Sequence, residues 1–233
     1  TLTVTDTAGL SATSSPAVTI TVTAPSAPRY YVNAISGADL SSCGPIPDPC
    51  ATINQGQTRA IADGIGQVLV AGGTYAPFTV QPGLEIKGGY SQDFSTRGVA
   101  DVTTVNGSFD AGAGTGWAVH ASGINATTVV FGMTIQGAAL SSAQATTGIL
   151  VDGASTGLSF TSVIVNGGVG KDATGVLVNG AASVTIGNSS INSGSPLGAG
   201  SSAYGVRALG GAVVAIASTT VVAQPGVAGA NSV

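Results

Sequence analysis

Trp117–Gly123 (WAVHASG), Gly148–Gly153 (GILVDG), Gly175–Gly180 (GVLVNG) and Gly205–Gly210 (GVRALG) are one line written four times. Each copy has two apolar positions two residues apart and a glycine two residues later: Val119/Ala121, Ile149/Val151, Val176/Val178 and Val206/Ala208. A repeat of roughly 30 residues built on strand periodicity is the mark of a solenoid. A second apolar stretch follows each copy, at Val129/Phe131, Leu158/Phe160, Val184/Ile186 and Val214/Ile216. A third follows around Ile135, Val165, Ile191 and Val221. Three short strands per repeat make a coil with three faces, whose equivalent strands stack ~4.8 Å apart and pair in parallel. Two inward columns result, Val119–Ile149–Val176–Val206 and Ala121–Val151–Val178–Ala208. The outward columns are His120–Leu150–Leu177–Arg207 and Ser122–Asp152–Asn179–Leu209, which leaves Leu150 and Leu177 as exposed apolar neighbours.

Composition narrows the function classes. Only 7% of the 233 residues are charged, against roughly 25% in ordinary domains, and the net charge is −4. That gives no basic footprint for nucleic acid. The mean hydropathy is +0.44, yet no apolar run approaches the ~18 residues of a membrane span. Cys43 and Cys50 bracket a proline-rich loop, CGPIPDPC. The pair reads as a small disulfide, and hence an oxidising, extracellular or cell-surface setting. Two thiols without further ligands do not fill a metal shell, so neither a metal centre nor a cofactor is expected.

Upstream of the repeat, residues 1–23 alternate Thr with apolar residues around an Asp6–Gly9 turn, placing strands at Leu2–Val4 and Val18–Val22. Residues 24–28 (APSAP) form a linker. Residues 29–114 hold a strand at Tyr30–Asn33, the Cys43–Cys50 loop and a helix over about 52–62 with Thr52 as N-cap. Strands follow at Val68–Val70, Phe78–Val80 and Leu84–Ile86, with turns at AGGTY and GGY and a polar excursion over Ser91–Ala100. Regular coils begin at Val102–Val105, fill residues 115–233, and are expected to continue beyond 233.

The order "YYVN", a Cys loop, "ATI" opening a helix, "VLVAGGTY", "LEIKGGYSQDFSTR" and "TTVVFGMTIQG" resembles secreted bacterial right-handed parallel β-helix proteins of the pectin-lyase-like superfamily. "LTVTDTAG" resembles the last strands of a PKD-like or other immunoglobulin-like domain. These resemblances imply an all-β chain: a right-handed, three-faced β-helix with a short N-terminal capping helix, preceded by two strands of an Ig-like sandwich.

Many relatives of that kind cleave polyuronates, which requires a base and carboxylates; hydrolysis needs two carboxylates about 5–9.5 Å apart. Beyond residue 115 the acids are Asp152 and Asp172, on different parts of the coil. Asp172 reads as the solvated partner of Lys171. No catalytic residue is expected. The candidate ligand-binding residues are Asp93, Arg97, Asp101 and Asp110, clustered before the first repeat, with Trp117 and His120. Plainer readings stand beside them: a solvated loop, a packed tryptophan and a polar spacer. The expected role is a non-catalytic structural or adhesive segment of a larger secreted or cell-surface protein. Its partners would be copies of itself or neighbouring proteins, through strand addition or end stacking. The alternative is a carbohydrate-binding or polysaccharide-cleaving β-helix with its active site in later coils.

Overall fold

The computed structural model describes residues 3–5, 11–13 and 28–230. Thr3–Thr5 pairs antiparallel with Ser11–Thr13; the second strand expected at Val18–Val22 lies outside the described residues. From Tyr30 onward the chain is a parallel β-solenoid of three stacked faces.

The first face stacks Phe78–Thr79, Val119–Ser122, Ala145–Asp152, Ala173–Asn179 and Ala203–Leu209. The second stacks Tyr30–Val32, Gln67–Ala71, Glu85–Tyr90, Thr128–Phe131, Leu158–Thr161, Ser183–Gly187 and Val213–Ala217. The third stacks Gly73–Tyr75, Thr103–Asn106, Thr134–Gln136, Ile164–Asn166, Ser190–Asn192 and Thr220–Val222. The repeat defines the register: Val119 pairs with Ile149, Ile149 with Val176 and Val176 with Val206. Val119, Ile149, Val176, Ala121, Val151 and Val178 are wholly buried.

Both glycines of the repeat have a mechanical role. A Cβ on Gly148, Gly175 or Gly205 would lie 2.5, 2.5 or 2.4 Å from the side chains of Val165, Ile191 and Val221, respectively. The third face fills the corner that these glycines leave empty. The closing glycines, Gly153, Gly180 and Gly210, have φ of +64°, +77° and +64°, a turn conformation that a side chain disfavours.

Several local expectations are corrected. On the second face Thr128 pairs with Leu158 and Val130 with Phe160, so Thr128 and Val130 point inward where Val129 and Phe131 were expected. An unbroken apolar run hides the period of two, and a slip of one residue exchanges the faces. Buried Thr128 settles its hydroxyl by donating to the Ala126 carbonyl and accepting from Gly83 N. The segments read as AGGTY and GGY turns lie largely in strands, Gly73–Tyr75 and the end of Glu85–Tyr90. Residues 29–114, expected to hold the cap and the first coils, thus supply strands to all three faces, with a full set of coil strands from Gln67 onward. Leu150, expected exposed, is 7% exposed, and Leu177 beside it is half-buried. Asp172 does not pair with Lys171; its carboxylate accepts from Ser202 N of the next coil at 2.9 Å.

The helix spans Ile53–Ala62, and the Thr52 side chain accepts from Gln55 N as its N-cap. It closes the solenoid end by blocking strand edges. Asn54 Oδ1 accepts from Thr79 N, wholly buried Gln57 donates to the Thr79 carbonyl, and Gln57 Oε1 accepts from Gln81 N. The Cys43–Cys50 disulfide sits in the loop that covers the edge of Tyr30–Val32, through Tyr31 N to Gly44 O and Cys50 N to Tyr31 O. The expected disulfide and capping helix are thus both present.

Gly175→Ala should destabilise the chain by about 3 kcal/mol through overpacking. Gly187→Ala, with nothing within 4 Å of the added carbon, should stay within about 0.5 kcal/mol; urea midpoints measure both. Replacing Cys43 and Cys50 by serine should cost about 2–3 kcal/mol, as expected for so short a closed loop, with protection from hydrogen exchange lost first at Tyr30–Val32 and the helix.

Candidate functional site

The six candidate residues fall into two groups. Asp93 and Arg97 belong to the excursion and Asp101 follows it; the excursion is a largely exposed strap that lays a few side chains over the second face. Phe94, at a φ of +59°, packs edge-on to Tyr31 with ring centroids 4.8 Å apart. The Arg97 guanidinium lies 4.3 Å above the Phe131 ring, and its Nε donates to the Gly88 carbonyl at 2.7 Å. Tyr31, Leu69, Lys87 and Phe131 are successive rungs on one outward column of the second face. Of these four rungs two are aromatic and one is aliphatic, and Leu69 is 1% exposed despite facing outward. The strap forms because that column is too apolar to face water.

Asp93 holds the turn of the strap. Its carboxylate accepts from the hydroxyls of Ser91 at 2.6 Å and Ser95 at 2.8 Å, and from Ser95 N at 3.1 Å. These bonds, the Ser91 hydroxyl foremost, bring its pKa down to about 2. The role is structural. Arg97 and Asp101 instead line an open cleft of about 450 Å³ between the strap and the corner of the third face, with Val102, Met133, Thr134 and Ile164.

Asp110, which sequence proximity groups with the excursion, joins the other cluster. Ser108–Asp110 pairs antiparallel with Thr115–Trp117, and the Asp110 carboxylate accepts from Gly112 N, Ala113 N and Trp117 Nε1 at 2.8, 3.3 and 3.1 Å. The Gly112 amide first, then Ala113 and Trp117, hold its pKa below the ordinary aspartate value. The half-buried Trp117 ring stands 5.3 Å from His120 at a 48° tilt. His120 Nε2 is 3.0 Å from Asp152 Oδ2. One continuous chain of contacts, Asp110–Trp117–His120–Asp152, therefore crosses two coils on the outside of the first face.

Asp152 is the member that sequence reading did not assign to a site. The repeat register places His120 opposite Leu150 and Ser122 opposite Asp152. His120 and Asp152 are therefore diagonal neighbours on the same side of the sheet, a distance that long side chains bridge. Among the described residues no three of His, Cys, Asp or Glu gather as a metal-ligating group, and no helix is long and apolar enough to cross a membrane.

No family model, no curated protein and no solved structure matches the chain.

In a carbon-detected NMR titration Asp93 should titrate near pH 2 and Asp110 below an ordinary aspartate. Both pKa values are depressed by folding, so their contribution to stability is present above the unfolded aspartate value of about 3.9 and is lost as pH falls through the folded values. Asp110→Ala should shift Trp117 fluorescence to the red and remove that cluster's share of the acid dependence.

Proposed function

We propose that this chain is a non-catalytic, structural or adhesive segment of a larger secreted or cell-surface protein, a pectin-lyase-like β-helix that follows the end of an immunoglobulin-like module. One observation carries the reading. Among the described residues, the formal charges on the outward strands of the three faces are Glu85, Lys87, Asp110, Asp152 and Arg207; they form no charged row, and Asp110 is taken up by Trp117. Glu85 and Lys87 pair at 2.8 Å, Asp152 meets His120, and Arg207 stacks 4.5 Å over Tyr204. Elsewhere the columns are threonine, serine, amides and apolar residues, Tyr31, Leu69, Phe131, Leu150 and Leu177 among them. Asn106, Gln136, Asn166 and Asn192 form one such row, with Asn166 donating to Gln136 at 3.0 Å. A neutral, ladder-like surface suits lateral contact more than binding of a charged substrate. The disulfide is consistent with an oxidising setting.

The proposed partners are copies of the chain or neighbouring surface proteins, met by strand addition or end stacking.

The alternative, carbohydrate binding, draws on the outward Trp117 ring between two hydrogen-bonding carboxylates; tryptophan presents a broad apolar face for stacking.

Sedimentation velocity over a concentration series should show self-association of the chain. Incubation with a polysaccharide panel should yield no unsaturated product. A chain that stays monomeric and binds neither cell surfaces nor glycans would remove the structural and adhesive reading; unsaturated product would replace it with a lyase.

A further inference from the structure

The strap cleft carries a combination of groups that the scaffold role does not use. Arg97 is held on two sides, by the Nε bond to Gly88 and by the Phe131 ring. Its orientation is therefore set, with one terminal amino group lying close against Gly132, and the side chain lines the cleft. Among the described residues no carboxylate lies within the 4.0 Å of an ion pair with it. Asp101 lines the same cleft and likewise forms no ion pair among the described residues. Two opposite charges thus share one cavity without neutralising each other. The remaining wall is apolar and uncovered: Val99, Val102 and Ile164 are 99, 52 and 52% exposed, and Met133 lies beside them. The hydroxyls of Thr134 and Ser162 complete the lining.

We propose that this cleft binds a small zwitterion with an apolar body, of the free α-amino acid class. The ligand carboxylate would be taken by the Arg97 fork, which suits a planar anion. The ligand ammonium would be taken by Asp101, and its side chain would lie against Met133, Val102 and Ile164. The charge arrangement selects the class. A simple anion would face Asp101 and a simple cation would face Arg97, while a zwitterion satisfies both. A volume of about 450 Å³ is in the range of small-ligand sites, and a guanidinium already fixed in place lowers the ordering cost of binding. The proposal is independent of the scaffold role and stands or falls on different residues.

Isothermal titration calorimetry of the 233-residue chain with leucine, methionine and phenylalanine tests it, alongside leucinamide, which lacks the carboxylate, and 4-methylpentanoate, which lacks the amine. At least one amino acid should bind, and both analogues of leucine should bind at least about tenfold more weakly than leucine itself, or not at all. Arg97→Gln should abolish binding, and Asp101→Asn should weaken it about tenfold with an unchanged unfolding midpoint. Because the analogue series uses the unaltered chain, the result does not depend on whether Arg97→Gln folds. Binding by none of the three amino acids, or equal binding by leucine and either analogue, would overturn the proposal.

Discussion

Each coil must bring the chain back to within one strand spacing of where it began, and the rest of the molecule follows from that closure. Three straight segments and three corners must fit in a perimeter of 27 to 30 residues, the offsets that separate Val119, Ile149, Val176 and Val206. The straight segments are short β-branched runs. One corner is made by Gly148, Gly175 and Gly205, whose missing side chains leave room for Val165, Ile191 and Val221. The core is thus one rod of aliphatic stacks. Each buried valine or isoleucine adds roughly 1.5–3 kcal/mol, and each rung is set in register by the rung before it.

A solenoid built this way protects its inner face and leaves two problems outside. The first is the strand edge at the start. It is solved by side-chain amides, Asn54 and Gln57, which take up the backbone groups of Thr79 and Gln81, and by the disulfide loop laid along Tyr31. The second is the outward face, where Tyr31, Leu69 and Phe131 share a column. The strap answers it by placing Phe94 and Arg97 over that column. The cleft exists because the strap, having covered the second face, must return to the third, and Arg97 and Asp101 both line the gap it leaves.

The fold was legible in the sequence because solenoid contacts lie at a constant offset. Reading WAVHASG, GILVDG, GVLVNG and GVRALG in line is the same operation as reading the hydrogen-bonded register. The candidate residues were legible as a set, but not in their grouping. Asp110 stands nine residues from Asp101 in sequence, yet it serves Trp117, because a short antiparallel excursion folds it back onto the first face. Asp152 escaped notice as the partner of His120 because diagonal neighbours are legible only after the register is applied to side-chain pairs.

By itself, then, the sequence determined the periodicity, the β-branched interior, the glycine corners, the helix with its Thr52 cap and the Cys43–Cys50 link, all of which arise from local spacing. Tertiary structure alone decided which of Thr128, Val129, Val130 and Phe131 face inward, since a run without alternation carries no phase until neighbouring rungs impose one. It also decided that the polar excursion is a strap, that Leu150 is covered and that Arg97 and Asp101 line one cleft. Those outcomes depend on side chains brought together from separate coils, and no local pattern encodes that meeting.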